Sequence, residues 1–561
     1  MFAPPHEHAQ VRELLSARPA ALPALNPQEQ SYQSHIQLGN RLKQAGNPFG
    51  AQAEYKQAIA ELEHLRSQLS IDRRSDFLAD KQNVYEEMVN LCIDNQQPEQ
   101  ALAYAEMTKS RTLHDLLAMQ IDAHEQLANP ADWSWFTALR HLRQARDQMV
   151  VTWQDLGEVG IRGSMQLRFR QPAIQQTVAD FEQRITALWY GLLANNSHYM
   201  RHISASPILP ETVQTYLRDD AALVEYFVIQ DKFVAFVVTN EQVRVFRLPT
   251  SVAEVRRALA FLQLNLKTVV NSSPEQLECL TYNATHLLQR LSNLLFRPLQ
   301  QMLKPYAQLI IVPHGVLHQL PFHALHDGSA YLIEQYAISY LPRATLLRYC
   351  KQTHPAKRSG QQTSAVALGY SAGGQLPYAV QEARQVAQLI GGQAFLEETA
   401  TKAHLRTLAD DCRILHLATH GNFRDDNPLF SGLALADGWL TTLDAFDLDL
   451  HASLITLSAC QTGCHVVAGG DELRGLIRAF LATGTSTLVA GLWAVEDQAT
   501  ACLMERFYKK LADGWDKHEA LRHAQLCLLK DGASGEQQAR LRYRHPYFWA
   551  PFFLMGDTGK L

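Results

Sequence analysis

From about residue 207 onward, short apolar runs alternate with amphipathic stretches, and that alternation leaves few architectures open to the chain. ALVEYFVIQ, KFVAFVVTN and VRVFRLP read as three short strands, AQLIIVPHG as a continuous buried strand, and QQMLKPY and residues 252–266 as helices among them. Farther on come AVALGYS as a strand, an amphipathic helix over 378–390, the strand containing His416, and the strand leading to Cys460. A helix over 472–483 and the strand STLVAGLWAV follow. Strands alternating with helices predict an α/β fold with a mostly parallel sheet and helices on both faces. In such sheets, sites form at the carboxyl ends of strands.

The sequence in front has a different texture. Residues 26–196 are rich in Ala, Glu, Gln and Lys with helical apolar spacing and almost no alternating pattern, so an all-α region is expected. Leu38-Gly39, Ala51, Tyr55 and Ala58 fall at the small and aromatic positions of a tetratricopeptide-like (TPR-like) unit. There small residues let two antiparallel helices approach and the aromatic fills the gap. Ala45-Gly46-Asn47-Pro48 breaks the helix between them. A partial second unit uses Tyr85, Met88 and Cys92, a turn at 95–98, then Ala101-Leu102 and Tyr104-Ala105. Ordinary helical hairpins would use the same residues; only a true repeat array presents a concave groove for a peptide or partner helix. Two long charged amphipathic stretches between 132 and 196, separated by the glycines of 157–163, read as a helical hairpin.

A chain of 561 residues is too long for one core and divides, on the usual size prior, into roughly two to four domains. The expected layout is TPR-like helices over 1–120, a long hairpin linker over 121–204, a middle α/β region over 205–355 that reads as an inactive half of a doubled sheet, and a catalytic half over 356–561. With 47% hydrophobic and 19% charged residues the chain is globular. A net charge of −5 supplies no field that would draw it to nucleic acid. No apolar run reaches the length of a membrane span, the N-terminus lacks the pattern of a secretory signal, and eight cysteines occur without a CxxC pair. The expectation is a cytoplasmic protein with free thiols, without membrane or nucleic-acid contact and without a cofactor.

Two strings carry the chemistry. ILHLATHGNF and SLITLSACQTG are each an apolar strand-like run that stops on a reactive side chain, His420 in one and Cys460 in the other. An imidazole can take the proton of a thiol, and the resulting thiolate is the better nucleophile. His420 is thus the expected general base and Cys460 the nucleophile, with the backbone amides of Gly421 and Cys460 as oxyanion hole. Gly421 is expected to allow a sharp turn after the histidine. No third residue orienting the imidazole is evident, so a dyad is expected. Six of the other seven cysteines, at 92, 279, 350, 412, 502 and 527, read as core.

A zinc set drawn from His416, His420, Cys460, Cys464 and His465 is disfavoured. Four residues along a strand span roughly 13 Å, too far for both histidines to meet one ion. GGDELRGLIRAF lacks the Lys-Ser/Thr ending of a phosphate loop and opens on two acids. No metal is expected.

HLATHGNF, NPLFSGLALADG, LITLSACQTG, GGDELRGLIRAFLATGTSTLVAGLW, VEDQAT with LMERFYKKL, and the terminal HPYFWAPFFLMGD together resemble the CHAT peptidases, caspase-like domains that typically follow TPR repeats. The resemblance covers roughly residues 207–561. It implies a caspase/separase-type fold, a His-Cys dyad carried onto His420 and Cys460, and an intracellular bacterial proteolytic switch, in some members serving antiviral defence or cell death. It also points to Ser458, Trp493 and Asp497 as the pocket for the residue preceding the scissile bond. A carboxylate at Asp497 there would favour Arg or Lys, and Asp471 and Glu472 are alternatives. The expected partners are a protein substrate and an activator or adaptor at the TPR-like helices. The competing reading is a catalytically silent scaffold of the same fold.

Overall fold

In the computed structural model, the described residues are 27–67, 77, 81–109, 138–139, 141–147, 149, 175–189, 213–352, 364–448, 450, 452–459, 466–468, 472–494, 496–532 and 541–561.

The chain begins with two helical hairpins, α1 (Pro27–Gln44) with α2 (Pro48–Ser67) and α3 (Asn83–Asp94) with α4 (Pro98–Glu106). Gly46, at φ 72°, turns the first hairpin, and a proline opens both α2 and α4, where its missing N–H costs nothing. The helices of the first hairpin close-pack because Gly39 has no side chain. A Cβ there would lie 2.6 Å from the Tyr55 ring, and the Tyr55 hydroxyl instead donates to Asn40 Oδ1 at 2.7 Å. Ala51, Tyr55 and Ala58 are fully buried, as are Met88, Cys92, Ala101 and Ala105 in the second hairpin. Leu38, expected at the crossing, is instead 45% exposed, because the helix presents its neighbour Gly39 to α2. Helical residues 141–147 (α5) and 175–189 (α6) follow.

Eleven described strands then form one mixed, mostly parallel sheet. In chain order they are β1 (Ala221–Ile229), β2 (Lys232–Val238), β3 (Val243–Ser251), β4 (Gln308–Val312), β5 (Ala337–Tyr340), β6 (Ser364–Gly369), β7 (Gln393–Leu396) and β8 (Cys412–Ala418). The short β9 (Gly421–Asn422), β10 (Gly432–Leu435) and β11 (Gly438–Thr441) make a separate sheet. The main sheet resumes with β12 (Leu454–Ser458), is interrupted by the hairpin of β13 (Val466–Ala468) and β14 (Glu472–Arg474), and ends with β15 (Thr487–Gly491) and β16 (Phe552–Gly556).

The spatial order is β3-β2-β1-β4-β5-β16-β15-β12-β8-β6-β7. β1, β4, β5 and β16 run parallel to one another, and so do β15, β12, β8, β6 and β7. The two blocks meet antiparallel at β15 and β16, through five residue pairs from Thr487↔Gly556 to Gly491↔Phe552. Carboxyl ends of the two blocks therefore point to opposite edges, and strands β8 and β12 offer theirs on one edge alone.

Burial on both faces explains why β1 reads as continuous apolar sequence. Ala222, Val224 and Tyr226 face the core formed with α7 (Val252–Val269) and α8 (Pro274–Leu295), while Leu223, Phe227 and Ile229 face the helical hairpins. That second face is also tied by polar groups. Glu106, the last residue of α4, accepts from Arg343 Nε and from the amides of Ala344 and Thr345. Lys109, with no exposed surface, donates to the carbonyls of Tyr226 and Pro313 at 2.6 and 2.9 Å.

Beyond α9 (Pro377–Leu389) and α10 (Lys402–Leu408), the expected helix over 472–483 is corrected at its start. Glu472–Arg474 pairs with Val466–Ala468 as a hairpin, and the helix, Leu476–Ala482 (α11), begins only after Gly475 at φ 122°, a conformation that ends helical continuity on its N-terminal side. The cysteines expected in the core divide: Cys92, Cys350 and Cys412 are buried, whereas Cys279 is exposed and Cys502 and Cys527 are partly so. Among the described residues, no helix is long and apolar enough to cross a membrane.

Candidate active site

β8 and β12 are adjacent and parallel, paired from Leu454↔Ile414 to Ser458↔Ala418. The pairing extends one step farther, because the Thr419 amide donates to the Ser458 carbonyl at 3.2 Å. His420 stands two residues past Ala418, and Cys460 two residues past Ser458. The two strands thus end in matched register at the same edge, each two residues before a reactive residue in the sequence. Cys460 itself, together with Cys464, His465 and Asp471, lies outside the described residues.

β9 and β10 hold the histidine backbone. The His420 carbonyl accepts from the Ala434 amide at 2.9 Å, and Thr419 Oγ1 donates to the Ala434 carbonyl at 2.5 Å. Position 420 is therefore a hydrogen-bonded partner of 434. Antiparallel alternation makes the next pair, Gly421↔Leu433, a non-hydrogen-bonded one, so the Gly421 N–H points away from β10. Gly421 continues in extended strand rather than turning sharply as expected; what it contributes is an outward amide. The imidazole is partly buried, with Nε2 covered and without a hydrogen-bond partner among the described residues. Burial pulls the His420 pKa below its ordinary value, so the ring is neutral at pH 7 and able to accept a proton.

Beside this edge lies a narrow pocket lined by Ser458, Ala459, Trp493, Asp497, Glu382 and Thr419, among others. The three residues expected to shape the substrate pocket, Ser458, Trp493 and Asp497, come together here. The Trp493 indole N–H donates to the Tyr547 carbonyl, fixing the ring. Asp497 opens α12 (Asp497–Ala512), and its Oδ2 accepts from the Tyr378 amide at 2.7 Å, at the N-terminus of α9 (Pro377–Leu389). Burial, and after it the charge of Glu382, raises the Asp497 pKa.

Glu382, which sequence reasoning missed, brings a second carboxylate to the pocket wall. It is 2% exposed and pairs with Nε2 of the fully buried His416 at 2.9 Å. His416 Nδ1 lies 3.2 Å from the Tyr508 hydroxyl, which donates to Thr456 Oγ1 at 2.8 Å. The strand histidine weighed as a metal ligand is thus occupied by a buried polar chain behind the pocket. Among the described residues no group of three His, Cys, Asp or Glu side chains is placed to hold a metal. The helical spacing of Glu382 with Ala379, Ala383 and Val386 put an acid on the buried face of α9, and that was the signal available.

The family model of the CHAT domain matches residues 285–557, a stretch that begins inside α8, continues through β16 and includes both His420 and Cys460. Among curated proteins the chain is similar to Tetratricopeptide repeat protein 28 of Homo sapiens, 26% identical over 310 residues, which is 46% of this chain and 12% of that protein. The counterpart in Mus musculus is 26% identical over 311 residues with the same coverage. The chain thus spans only a small part of the length of these relatives. Among solved structures, a Saccharomyces cerevisiae separase–securin complex aligns at TM-score 0.42 and 10% identity, over 99% of this chain and 48% of that one. The Arg-specific cysteine proteinase gingipain R aligns at TM-score 0.34 and 10% identity, over 50% and 69%.

Proposed function

We propose that this chain, whose residues 285–557 match the family model of the CHAT domain, is a cysteine endopeptidase in which His420 activates Cys460. The observation that supports this reading is the register of β8 and β12, in which Ala418 pairs with Ser458, residues that stand two positions before His420 and Cys460 in the sequence. Neutral His420 takes the thiol proton, the thiolate attacks the peptide carbonyl, and the same imidazole returns the proton to the leaving amine. The Gly421 amide, directed away from β10, together with the Cys460 amide supplies the oxyanion donors. Loss of one such donor typically costs about 2.7–4 kcal/mol of transition-state stabilisation.

The pocket that joins Ser458, Trp493 and Asp497 supports a basic residue before the scissile bond, since a half-buried carboxylate pairs best with Arg or Lys. The helical hairpins supply a surface for an activator or adaptor protein. A place in bacterial defence or cell death rests on the family resemblance alone.

The covered Nε2 of His420 favours the second reading, a silent scaffold of the same fold. A thiol-reactive probe with peptide-level mass spectrometry separates the two. Labelling of Cys460 in the wild-type chain that collapses in His420→Ala supports the peptidase, and equal labelling of both supports the scaffold.

A further inference from the structure

Glu182 sits on α6 with 2% of its surface exposed, yet its carboxylate serves two guanidinium groups from distant parts of the chain. Arg146, just inside the end of α5, reaches Oε1 through Nη2 at 3.1 Å and Nε at 3.4 Å. Arg424 reaches both oxygens through Nη1 at 2.8 and 2.7 Å. The outer flanks of the two arginines are held by Asp147 and Asp426 respectively. A carboxylate this buried depends on these cations, because without them its charge would stand uncompensated in the interior.

Arg424 lies four residues after His420, at the start of the loop joining β9 to β10. Its amide donates to Ser431 Oγ at the far end of that loop. Both flanking strands hold the histidine, β9 by continuity and β10 through the bond from the Ala434 amide. The loop also carries Leu429 and Phe430 into an apolar cluster with Leu139, Leu142, Ile185 and Leu188 of the helices, and Arg146 lies over the Phe430 ring at 4.8 Å. The helical region therefore holds the segment after His420 by a buried ionic grip, an apolar contact and a hydrogen bond that Asn427 Nδ2 donates to Thr186 Oγ1 at 3.4 Å.

We propose that Glu182 is a positioning residue through which the helical region sets the placement of His420, by way of the Glu182–Arg424 grip. This rests on the reading of His420 and Cys460 as a dyad. Glu182 touches no reacting atom; it acts through the loop.

The test follows iodoacetamide alkylation of Cys460 in the full chain against pH, read by peptide mass spectrometry, with thermal unfolding recorded beside it. In Glu182→Gln the rate at pH 7 is expected to fall about tenfold, and the midpoint of the pH profile to move up toward the ~8.5 of an unassisted thiol. Ile185→Ala, in the same interface but outside the ionic grip, is expected to lower the unfolding temperature while keeping the wild-type midpoint. Should Glu182→Gln fail to fold, Arg424→Lys, which loses the planar fork but keeps the charge, is expected to shift the midpoint in the same direction. A wild-type rate and midpoint in a folded Glu182→Gln or in Arg424→Lys, beside their loss in His420→Ala, overturns the inference and leaves the dyad standing. Wild-type alkylation in His420→Ala overturns both.

Discussion

Lys109 Nζ stands 3.6 Å from Glu225 Oε1 in an interior where neither side chain has any exposure. The ammonium is committed to two backbone carbonyls, and Glu225 instead shares a side-chain hydrogen bond with Glu106. Burial first, then the neighbouring Glu106 carboxylate, raises the Glu225 pKa well above 4.5, whereas Arg343 and backbone amides hold that of Glu106 below it. Glu225 is therefore the carboxyl that keeps a proton at the junction between the hairpins and the sheet.

Stability should follow from that assignment with opposite signs. A group whose folded pKa is raised contributes fully below its unfolded pKa and loses that contribution as pH rises through the folded one. Glu225→Gln mimics the protonated form and is expected to unfold above wild type at pH 7, by about 2–4 °C, with the gap closing toward pH 4. Glu106, with its lowered pKa, contributes above the unfolded value and loses it in acid, so Glu106→Gln is expected to unfold below wild type at pH 7. Thermal melts across pH 4–8 check both.

The Gly39–Tyr55 crossing predicts a steric penalty in the first hairpin. A Cβ at residue 39 would sit 2.6 Å from the ring, and overpacking of this kind typically costs about 1–3 kcal/mol. Urea unfolding of Gly39→Ala, followed by far-ultraviolet circular dichroism, should show that loss. Tyr55→Phe, which gives up only the bond to Asn40, should lose about 1 kcal/mol.

Tyr508→Phe tests the buried chain behind the pocket. It removes the hydroxyl that Thr456 and His416 share, leaving polar groups without a partner at a cost of about 1–3 kcal/mol. Denaturant midpoints would register it. A loss below about 0.5 kcal/mol would mean the hydroxyl bonds are not made in solution.

For the dyad, the lowered pKa of His420 means that the acid limb of Cys460 reactivity should fall below pH 6.5. His420→Ala is expected to lose about 10²–10⁴-fold in peptide cleavage. A limb above pH 7 would show that the imidazole is more solvated or more charged than its burial implies.

Asp497→Asn preserves an acceptor for the Tyr378 amide, so the junction of α9 and α12 should survive. Cleavage after Arg and Lys in a peptide library is expected to drop at least about tenfold relative to apolar residues, since the charge-assisted bond is worth roughly 1.5–3 kcal/mol. An unchanged profile would assign the specificity elsewhere, with Glu382 as the nearest second carboxylate.

Much of this arrangement was legible in advance. β1, β2, β4, β8 and β12 announce themselves as apolar runs, and the hairpin α1–α2 by its small and aromatic residues and its Gly46 turn. The helix α8 was not read, although Ser273 and Gln276 form a capping box at its start. β16 was not read as a strand either, because a five-residue apolar segment is short enough to pass for loop or helix. The pocket residues Ser458, Trp493 and Asp497 came from resemblance. Glu382 and Glu182 had no such signal, since a lone acid on a helix reads as solvated.

Hydropathy along the chain decided what is local: which segments become helix or strand, and that a histidine and a cysteine follow two of the strands in the sequence. It did so because side-chain period is a property of neighbouring residues. Only the folded chain decided that β16 returns to stitch two oppositely directed blocks, that Glu382 claims His416, and that Glu182 grips Arg424 from 242 positions away. Those contacts depend on which faces meet after collapse, and pairings between distant residues leave no periodic trace in either partner's sequence.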